Sequence, residues 1–128
     1  MNQRITNTRG LTVEFLANGA IKSIDAGPIR INLKAGSMYS FPGTNLYLRK
    51  RSKPIEFHPL LGPGSHSRFS LLENQFVAKG IFREIEYTCS LQLAANSLSW
   101  QWSIELVNKS GQEFELDLVY VQDVGLKP

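Results

Sequence analysis

The chain has 128 residues, 42% of them hydrophobic and 20% charged, which is enough for one domain that buries roughly two-thirds of its unfolded surface. Its net charge of +3 is small and is not gathered into a long block, which argues against a nucleic-acid-binding protein. No apolar run approaches the ~20 residues of a membrane helix, and the amino end has no apolar signal core, so we expect a soluble, cytoplasmic protein without membrane contact.

A β-hairpin is predicted near the amino end. Apolar residues alternate with polar ones at Leu11, Val13 and Phe15, and a returning strand follows at 21–26. A period of two is typical of a strand with one buried face. Asn18-Gly19 lies between the two strands and favours a two-residue type I′ turn, because Asn and Gly both tolerate positive φ.

Regular and irregular segments then follow each other. A third strand is predicted at residues 29–33, then an irregular loop at 36–44, a short strand at 46–48 and a basic cluster at 49–53. A second irregular stretch spans 58–68. The basic cluster is typical of a solvated strand end, with an anion or sugar contact as the less frequent alternative. The two irregular stretches are the candidate binding loops, since loops on a rigid scaffold often carry ligand contacts.

The most regular alternation fills the carboxyl-terminal half. Strands are predicted at 69–72 and 76–82, joined by a short turn, and then at 85–93, 98–106 and 114–120 as three consecutive strands of a meander. No stretch has the apolar spacing of a three-turn helix. We therefore predict an all-β fold, an antiparallel β-sandwich of about eight or more strands.

Some side chains on these strands could belong either to the core or to a ligand site. The single cysteine, Cys89, shares its strand face with apolar residues and is predicted to be a buried small hydrophobe. Trp100 and Trp102 could stack on a sugar, but they share their face with Ile104 and Leu106. That context favours the core for both tryptophans.

No residue pattern indicates catalysis or a metal site. Apart from Glu56, no Cys, Asp or Glu lies close to His58 or His66 in sequence, whereas a zinc site needs three or four ligands. Glu113, Glu115 and Asp117 share a strand face, and paired carboxylates can do acid and base chemistry or hold calcium. On a sheet surface, however, they favour solubility or contact with a basic neighbour. The Gly-x-Ser-x-Gly turn of a hydrolase is absent from the sequence.

Three stretches resemble a known family. They are residues 45–49 (NLYLR), 59–69 (PLLGPGSHSRF) and 118–126 (LVYVQDVGL). They are similar to the amino-terminal domain of bacterial glycoside phosphorylases, nearest to 1,2-β-oligoglucan phosphorylases and the phosphorylase-like region of cyclic β-1,2-glucan synthases, which are relatives of cellobiose phosphorylase. The resemblance covers nearly the whole chain and implies a β-supersandwich of the galactose-mutarotase-like kind.

The resemblance also implies what this chain does. In that family the sandwich precedes a helical-barrel domain, which holds the catalytic Asp and uses inorganic phosphate as substrate. Residues 1–128 would then be a single sandwich domain, the amino-terminal fragment of a larger enzyme. It would need no cofactor and would have no activity of its own. Its expected partners are the barrel of the same parent chain, a β-glucan oligosaccharide and, in a homodimer, a second copy.

Four side chains are the candidate substrate contacts under this resemblance: Arg49, His58, His66 and Arg68. The alternative for His66 and Arg68 is that they only tie down their own loop through backbone hydrogen bonds. Two other functions remain open. A free-standing carbohydrate-binding module predicts solvent-facing aromatic residues, and a mutarotase-like sugar epimerase needs a histidine and carboxylates in one cleft.

Overall fold

The computed structural model describes residues 3–40 and 43–128. These residues form eleven β-strands and no helix, so none of them belongs to a helix that could cross a membrane. The predicted all-β antiparallel sandwich is confirmed. The strands are β1 (Gln3–Thr6), β2 (Leu11–Phe15), β3 (Ile21–Ala26), β4 (Ile29–Arg30), β5 (Thr44–Lys50), β6 (Glu56–Pro59), β7 (Arg68–Leu72), β8 (Gln75–Phe82), β9 (Ile85–Leu93), β10 (Trp100–Asn108) and β11 (Leu116–Gln122).

The strands form three antiparallel sheets. Sheet A has the order β1-β2-β3-β4, sheet B has the order β11-β5-β6, and sheet C has the order β10-β9-β8-β7. Sheets A and C each come from one continuous stretch of chain, whereas sheet B joins strands that lie far apart in sequence. This arrangement places both β10 and β11 at the edge of a sheet.

The hydrophobic core lies between the sheets. Phe15 of β2 stacks on Phe76 of β8 with ring centroids 3.7 Å apart, which joins sheet A to sheet C. Leu48 of sheet B belongs to the same buried cluster. Cys89 is also fully buried there, as predicted, and burial raises the pKa of its thiol to about 12. The alternation of the strands therefore sorts apolar side chains into one shared core.

The first hairpin is confirmed, but its turn differs from the prediction. Leu16 accepts a hydrogen bond from the Gly19 amide at 2.9 Å, and the Leu16 amide donates to Ala20 at 2.9 Å. Gly19 has a φ of 82°, whereas Asn18 is not among the residues with positive φ. This is a three-residue loop that ends in a left-handed glycine, rather than a type I′ turn.

The predicted third strand is wrong beyond Arg30. Strand β4 contains only Ile29 and Arg30, because the Asn32 side chain takes the place of backbone in the pairing with β3. Its Oδ1 accepts the Ile24 amide at 2.8 Å, and its Nδ2 donates to the Lys22 carbonyl at 3.2 Å. The alternation of apolar and polar residues continues to Leu33 in the sequence, but the Asn32 side chain ends the backbone hydrogen bonding between β4 and β3.

The predicted three-strand meander is also wrong in its last strand. β9 and β10 pair as expected. β11, however, starts at Leu116 and pairs with β5, so that Leu118 lies opposite Leu48 and Tyr120 lies opposite Leu46. Alternation defines which face of a strand is apolar, but it does not define the neighbouring strand.

The edge strands β10 and β11 leave part of the core side open. Trp100, Trp102 and Ile104 pack against the core and are partly buried, which confirms the core position predicted for the tryptophans. The Trp102 and Tyr120 rings lie 6.4 Å apart, so the two edge strands come together here. Leu106, Leu118 and Tyr120 nevertheless remain 43%, 48% and 45% exposed. We call the core-side apolar residues of these strands the open seam: Trp100, Trp102, Ile104, Leu106, Leu116, Leu118 and Tyr120.

Candidate functional site

Hydrogen bonds from neighbouring segments hold the loop at residues 58–68 in place. Asn45 is buried, and its side chain donates to the Leu61 carbonyl at 2.9 Å and accepts the Leu61 amide at 3.2 Å. The Ser67 hydroxyl donates to the Leu60 carbonyl at 2.9 Å. The loop therefore has a fixed conformation, although it has no regular secondary structure between Pro59 and Arg68.

A buried tyrosine links this loop to sheet C. The Tyr87 hydroxyl contacts His58 Nε2 at 3.1 Å, the Ser67 hydroxyl, and the Ser65 carbonyl at 3.3 Å. The His58 ring also stacks on Phe82, with centroids 5.1 Å apart. Burial raises the pKa of Tyr87, and the hydrogen bond with Ser67 opposes that shift. Tyr87 is therefore a neutral hydroxyl that holds two parts of the chain together.

Burial also lowers the pKa of His58 below its ordinary value. A hydrogen bond with the Ser65 backbone opposes this shift, and the nearby His66 adds to it. A neutral imidazole can exchange hydrogen bonds with a hydroxyl group without the cost of a buried charge. His58 therefore fits a structural role in the Tyr87 network.

A cavity of about 470 Å³ lies on the outward face of sheet C. Its lining combines cationic, acidic, hydroxyl and apolar groups: His66, Arg68, Lys79, Gly80, Ile81, Glu86, Tyr87 and Thr88. His66, Arg68, Lys79 and Glu86 are all exposed. We call this cavity, defined by those eight residues, the outer cavity.

The strand register arranges the polar groups of the outer cavity. Arg68 of β7 lies directly opposite Lys79 of β8, and Lys79 lies opposite Thr88 of β9. One row across three strands therefore carries two cations and a hydroxyl. Glu86 lies in the next row, opposite Ile81. Such a set can bind an anion at one end and accept hydrogen bonds from hydroxyls at the other.

The four predicted contact residues do not form a single site. His66 and Arg68 line the outer cavity together, while His58 belongs to the Tyr87 network. Arg49 is elsewhere, on sheet B, where its guanidinium pairs with Asp117. This pair confirms the prediction that the acidic strand meets a basic neighbour. The backbone hydrogen bonds suggested for His66 and Arg68 are not formed with any described residue, because Ser67 and Asn45 hold the loop instead.

The outer cavity also contains residues that the sequence analysis missed. Lys79, Glu86 and Thr88 lie in two predicted strands, and none of them was singled out from the sequence. The predicted turn after Leu72 could have identified Lys79, since Leu72 pairs with Gln75 and counting outward from that pair brings Arg68 to Lys79. Glu86 and Thr88 require the β8–β9 register as well. The other predicted loop, at 36–44, includes Phe41 and Pro42, which lie outside the described residues.

Residues 3–40 and 43–128 contain no candidate metal site. No three His, Cys, Asp or Glu side chains come together there in a way that could hold an ion. His66 and Glu86 share the outer cavity, but they make no hydrogen bond with each other. The charged and hydroxyl groups of this cavity can bind a ligand by charge and hydrogen bonds.

Comparison with protein families gives a match over most of the chain. The family model described as the SOGP N-terminal domain matches residues 14–128. The chain belongs to that family. No curated protein matches it. The matched range of this SOGP N-terminal domain contains all of the outer cavity, the Tyr87 network and the open seam.

Acidification is expected to destabilise the SOGP N-terminal domain through His58. The unfolded chain takes up a proton on this residue near its ordinary pKa of about 6.5, whereas the folded chain does so only at lower pH. Unfolding therefore binds a proton in this window, and stability is lost as pH falls below about 6.5, until it levels off below the folded pKa. Urea unfolding between about pH 5 and 7.5 measures this fall.

Two histidine variants distinguish this cause from general acid effects. His58→Gln removes the titrating group and should flatten the pH dependence in that window. His66→Gln, on the exposed loop residue beside it, should retain most of the dependence. Equal pH dependence in His58→Gln and the unmodified chain would contradict the assignment to His58.

Proposed function

We propose that this chain is a non-catalytic N-terminal β-sandwich domain of a carbohydrate phosphorylase that acts on β-glucans. It supports a catalytic helical-barrel domain of the same parent polypeptide, which uses inorganic phosphate as a substrate. The open seam is the observation that carries this proposal. Leu118 and Tyr120 remain about half exposed, although the residues opposite them, Leu48 and Leu46, are fully buried.

The chemistry of the open seam favours a protein contact over a sugar contact. Four of its seven residues are aliphatic and offer no side-chain hydrogen bond: Ile104, Leu106, Leu116 and Leu118. A sugar site needs polar groups placed among its apolar ones, to match the hydroxyls of the ligand. A contiguous apolar surface on a folded domain is instead typical of a protein interface. The seam also runs along two open strand edges, which can accept further backbone hydrogen bonds.

A phosphorolysis assay tests the proposal. The 128-residue chain and the polypeptide encoded by the complete reading frame around it are each incubated with β-1,2-glucan and inorganic phosphate. We expect sugar 1-phosphate from the complete polypeptide and none from the chain alone. Release by the chain alone would contradict its non-catalytic role, and a complete reading frame that encodes only residues 1–128 would contradict the parent enzyme.

Substitution in the seam tests the supporting role. Leu118→Asn should shorten the thermal half-life of phosphorolysis in the complete polypeptide, because it places an amide in the interface. In the isolated chain the same change should cost only about 1 kcal/mol, since Leu118 is already half in water. Leu72→Asn, on the opposite edge of sheet C and also exposed, is the matched control. Equal effects of both variants on the half-life would contradict a role for the seam.

A free-standing carbohydrate-binding module is the second candidate. Tyr39 favours it, because this ring is 95% exposed on the loop at 36–44. An exposed aromatic ring on a loop can stack on the face of a sugar. Calorimetric titration with β-1,2-gluco-oligosaccharides at millimolar concentration tests this role. Heat that disappears in Tyr39→Ala would favour the module, and no heat with either protein would exclude it for these ligands.

A further inference from the structure

We propose that the outer cavity binds a phosphate group carried on a small hydroxylated molecule, with the phosphate held by Arg68 and Lys79. The cavity lies on the outward face of sheet C, while the open seam uses the core side of β10. The proposal therefore does not depend on the parent enzyme or on a contact with its barrel.

Two cations without ion-pair partners lie directly opposite each other on β7 and β8. Arg68 and Lys79 are direct partners in the β7–β8 register, and like charges in such positions destabilise a sheet. Neither side chain makes a hydrogen bond or an ion pair with any residue that the structure describes. By contrast, Arg30, Arg49 and Arg83 each pair with a carboxylate. An anion between Arg68 and Lys79 would turn their repulsion into two favourable interactions.

The two facing cations favour an anion with several acceptor oxygens. Glu86 offsets one positive charge of the cavity as a whole but forms no ion pair with Arg68 or Lys79, and a carboxylate ligand would offer the facing pair only two oxygens. A phosphate monoester carries about −1.5 to −2 charges near pH 7 and has three strong acceptor oxygens. The guanidinium of Arg68 can meet two of these oxygens in parallel. Thr88, the next residue in the same row, adds a hydroxyl donor.

The rest of the cavity indicates what carries the phosphate. The volume of about 470 Å³ lies in the range of small-molecule sites and exceeds what a bare phosphate fills. Glu86 is two residues from Thr88 on one face of β9, roughly 7 Å along the strand. A carboxylate repels phosphate but accepts hydrogen bonds from hydroxyls, and the exposed Ile81 opposite it offers an apolar surface. The ligand therefore has an anionic end and a neutral, hydroxylated body.

The backbone at the rim of the cavity is held in an uncommon conformation. His66 has a φ of 54°, which few residues other than glycine adopt. Its neighbours Ser65 and Ser67 are fixed by Tyr87 and by the Leu60 carbonyl. His66 is therefore placed at the cavity by bonds that other residues make.

Titration followed by NMR tests the proposal. Glucose 6-phosphate, inorganic phosphate and glucose are each added to the ¹⁵N-labelled chain, with sodium chloride at matched ionic strength as a further arm. We expect saturable shifts of the Arg68, Lys79 and Thr88 amides with glucose 6-phosphate, weaker binding of inorganic phosphate, and no saturable shift with glucose or chloride. Equal affinity for inorganic phosphate would overturn the organic ligand. No saturable shift with either phosphate compound would overturn the site.

Charge-removing variants identify the residues. Arg68→Gln and Lys79→Gln should each lower the affinity for glucose 6-phosphate by about tenfold, because each removes a charged hydrogen bond. Glu86→Gln should raise the affinity for inorganic phosphate. Arg9→Gln, on the exposed turn between β1 and β2, is the matched control and should leave binding unchanged. If Arg9→Gln lowered the affinity for glucose 6-phosphate as much as Arg68→Gln does, the binding would be non-specific charge attraction, and the site would be overturned.

Lys79→Gln has a second readout that does not depend on a ligand. It removes the like-charge opposition to Arg68, so without ligand its melting temperature should be higher than that of the unmodified chain by about 1–4 °C. Glucose 6-phosphate should raise the melting temperature of the unmodified chain by a similar amount, because the ligand binds only the folded chain. A lower melting temperature for Lys79→Gln without ligand would contradict the repulsion between Arg68 and Lys79, on which the proposed site depends.

Discussion

Replacement of Phe76 by alanine is expected to lower the free energy of unfolding by about 3–5 kcal/mol. Phe76 is 1% exposed, and its ring stacks on Phe15 of sheet A and on Phe69 of the neighbouring strand. Its removal would leave a cavity where sheets A and C meet, and backbone held in sheets can only partly close it. Urea unfolding followed by circular dichroism measures the change.

Phe57→Ala is the matched control for Phe76→Ala. It deletes the same number of atoms from a ring that is 57% exposed on β6. We expect it to change stability by no more than about 0.5–1 kcal/mol. Similar losses for the two variants would show that the Phe15–Phe76 contact is not the centre of the core.

Gly80→Ala is expected to destabilise the chain by about 2–4 kcal/mol, although alanine is ordinarily the better strand residue. A Cβ atom at Gly80 would lie 2.6 Å from Tyr87 Cζ and still closer to the hydroxyl oxygen. The ring would have to move, and the hydrogen bonds to His58, Ser67 and Ser65 would move with it. Thermal unfolding of the variant measures the loss.

A double-mutant cycle with Tyr87→Leu attributes this loss to the ring. In the Tyr87→Leu background the clash is absent, so Gly80→Ala should cost less than about 1 kcal/mol. A cost as large as in the unmodified chain would mean that Gly80 is needed for its backbone and not for the space it leaves to Tyr87.

The sequence predicted which face of each strand is buried better than which strands are neighbours. The period of two placed Cys89 and Trp102 on the core side, since that pattern depends only on local geometry. It could not place β11 beside β5, because any edge strand with an apolar face satisfies the same pattern. It also extended the third strand past Arg30, because nothing in an alternation shows that the Asn32 side chain will bond to the Ile24 amide.

The candidate site was predicted in part for a related reason. His66 and Arg68 were singled out under the family resemblance as polar residues of an irregular loop, and both line the outer cavity. Lys79 and Thr88 were missed because their part in the outer cavity comes from register across two strand pairs. His58 and Arg49 were assigned to a ligand although each has a protein partner, Tyr87 and Asp117, which are distant in sequence. In the sequence, a polar residue that will bond to another side chain cannot be told from one that will remain free, because the partner lies far away along the chain.

The pairing of β5 with β11 has a consequence for synthesis of the chain on the ribosome. Arg49 and Asp117 are 68 residues apart, so the two-stranded β5–β6 hairpin, marginal by itself, must wait for its third strand to leave the exit tunnel. Closing a flexible loop of that length costs about 4 kcal/mol in chain entropy. Sheet C lies within this loop and shortens it when it folds, so we expect sheet C to assemble first and sheet B to close last.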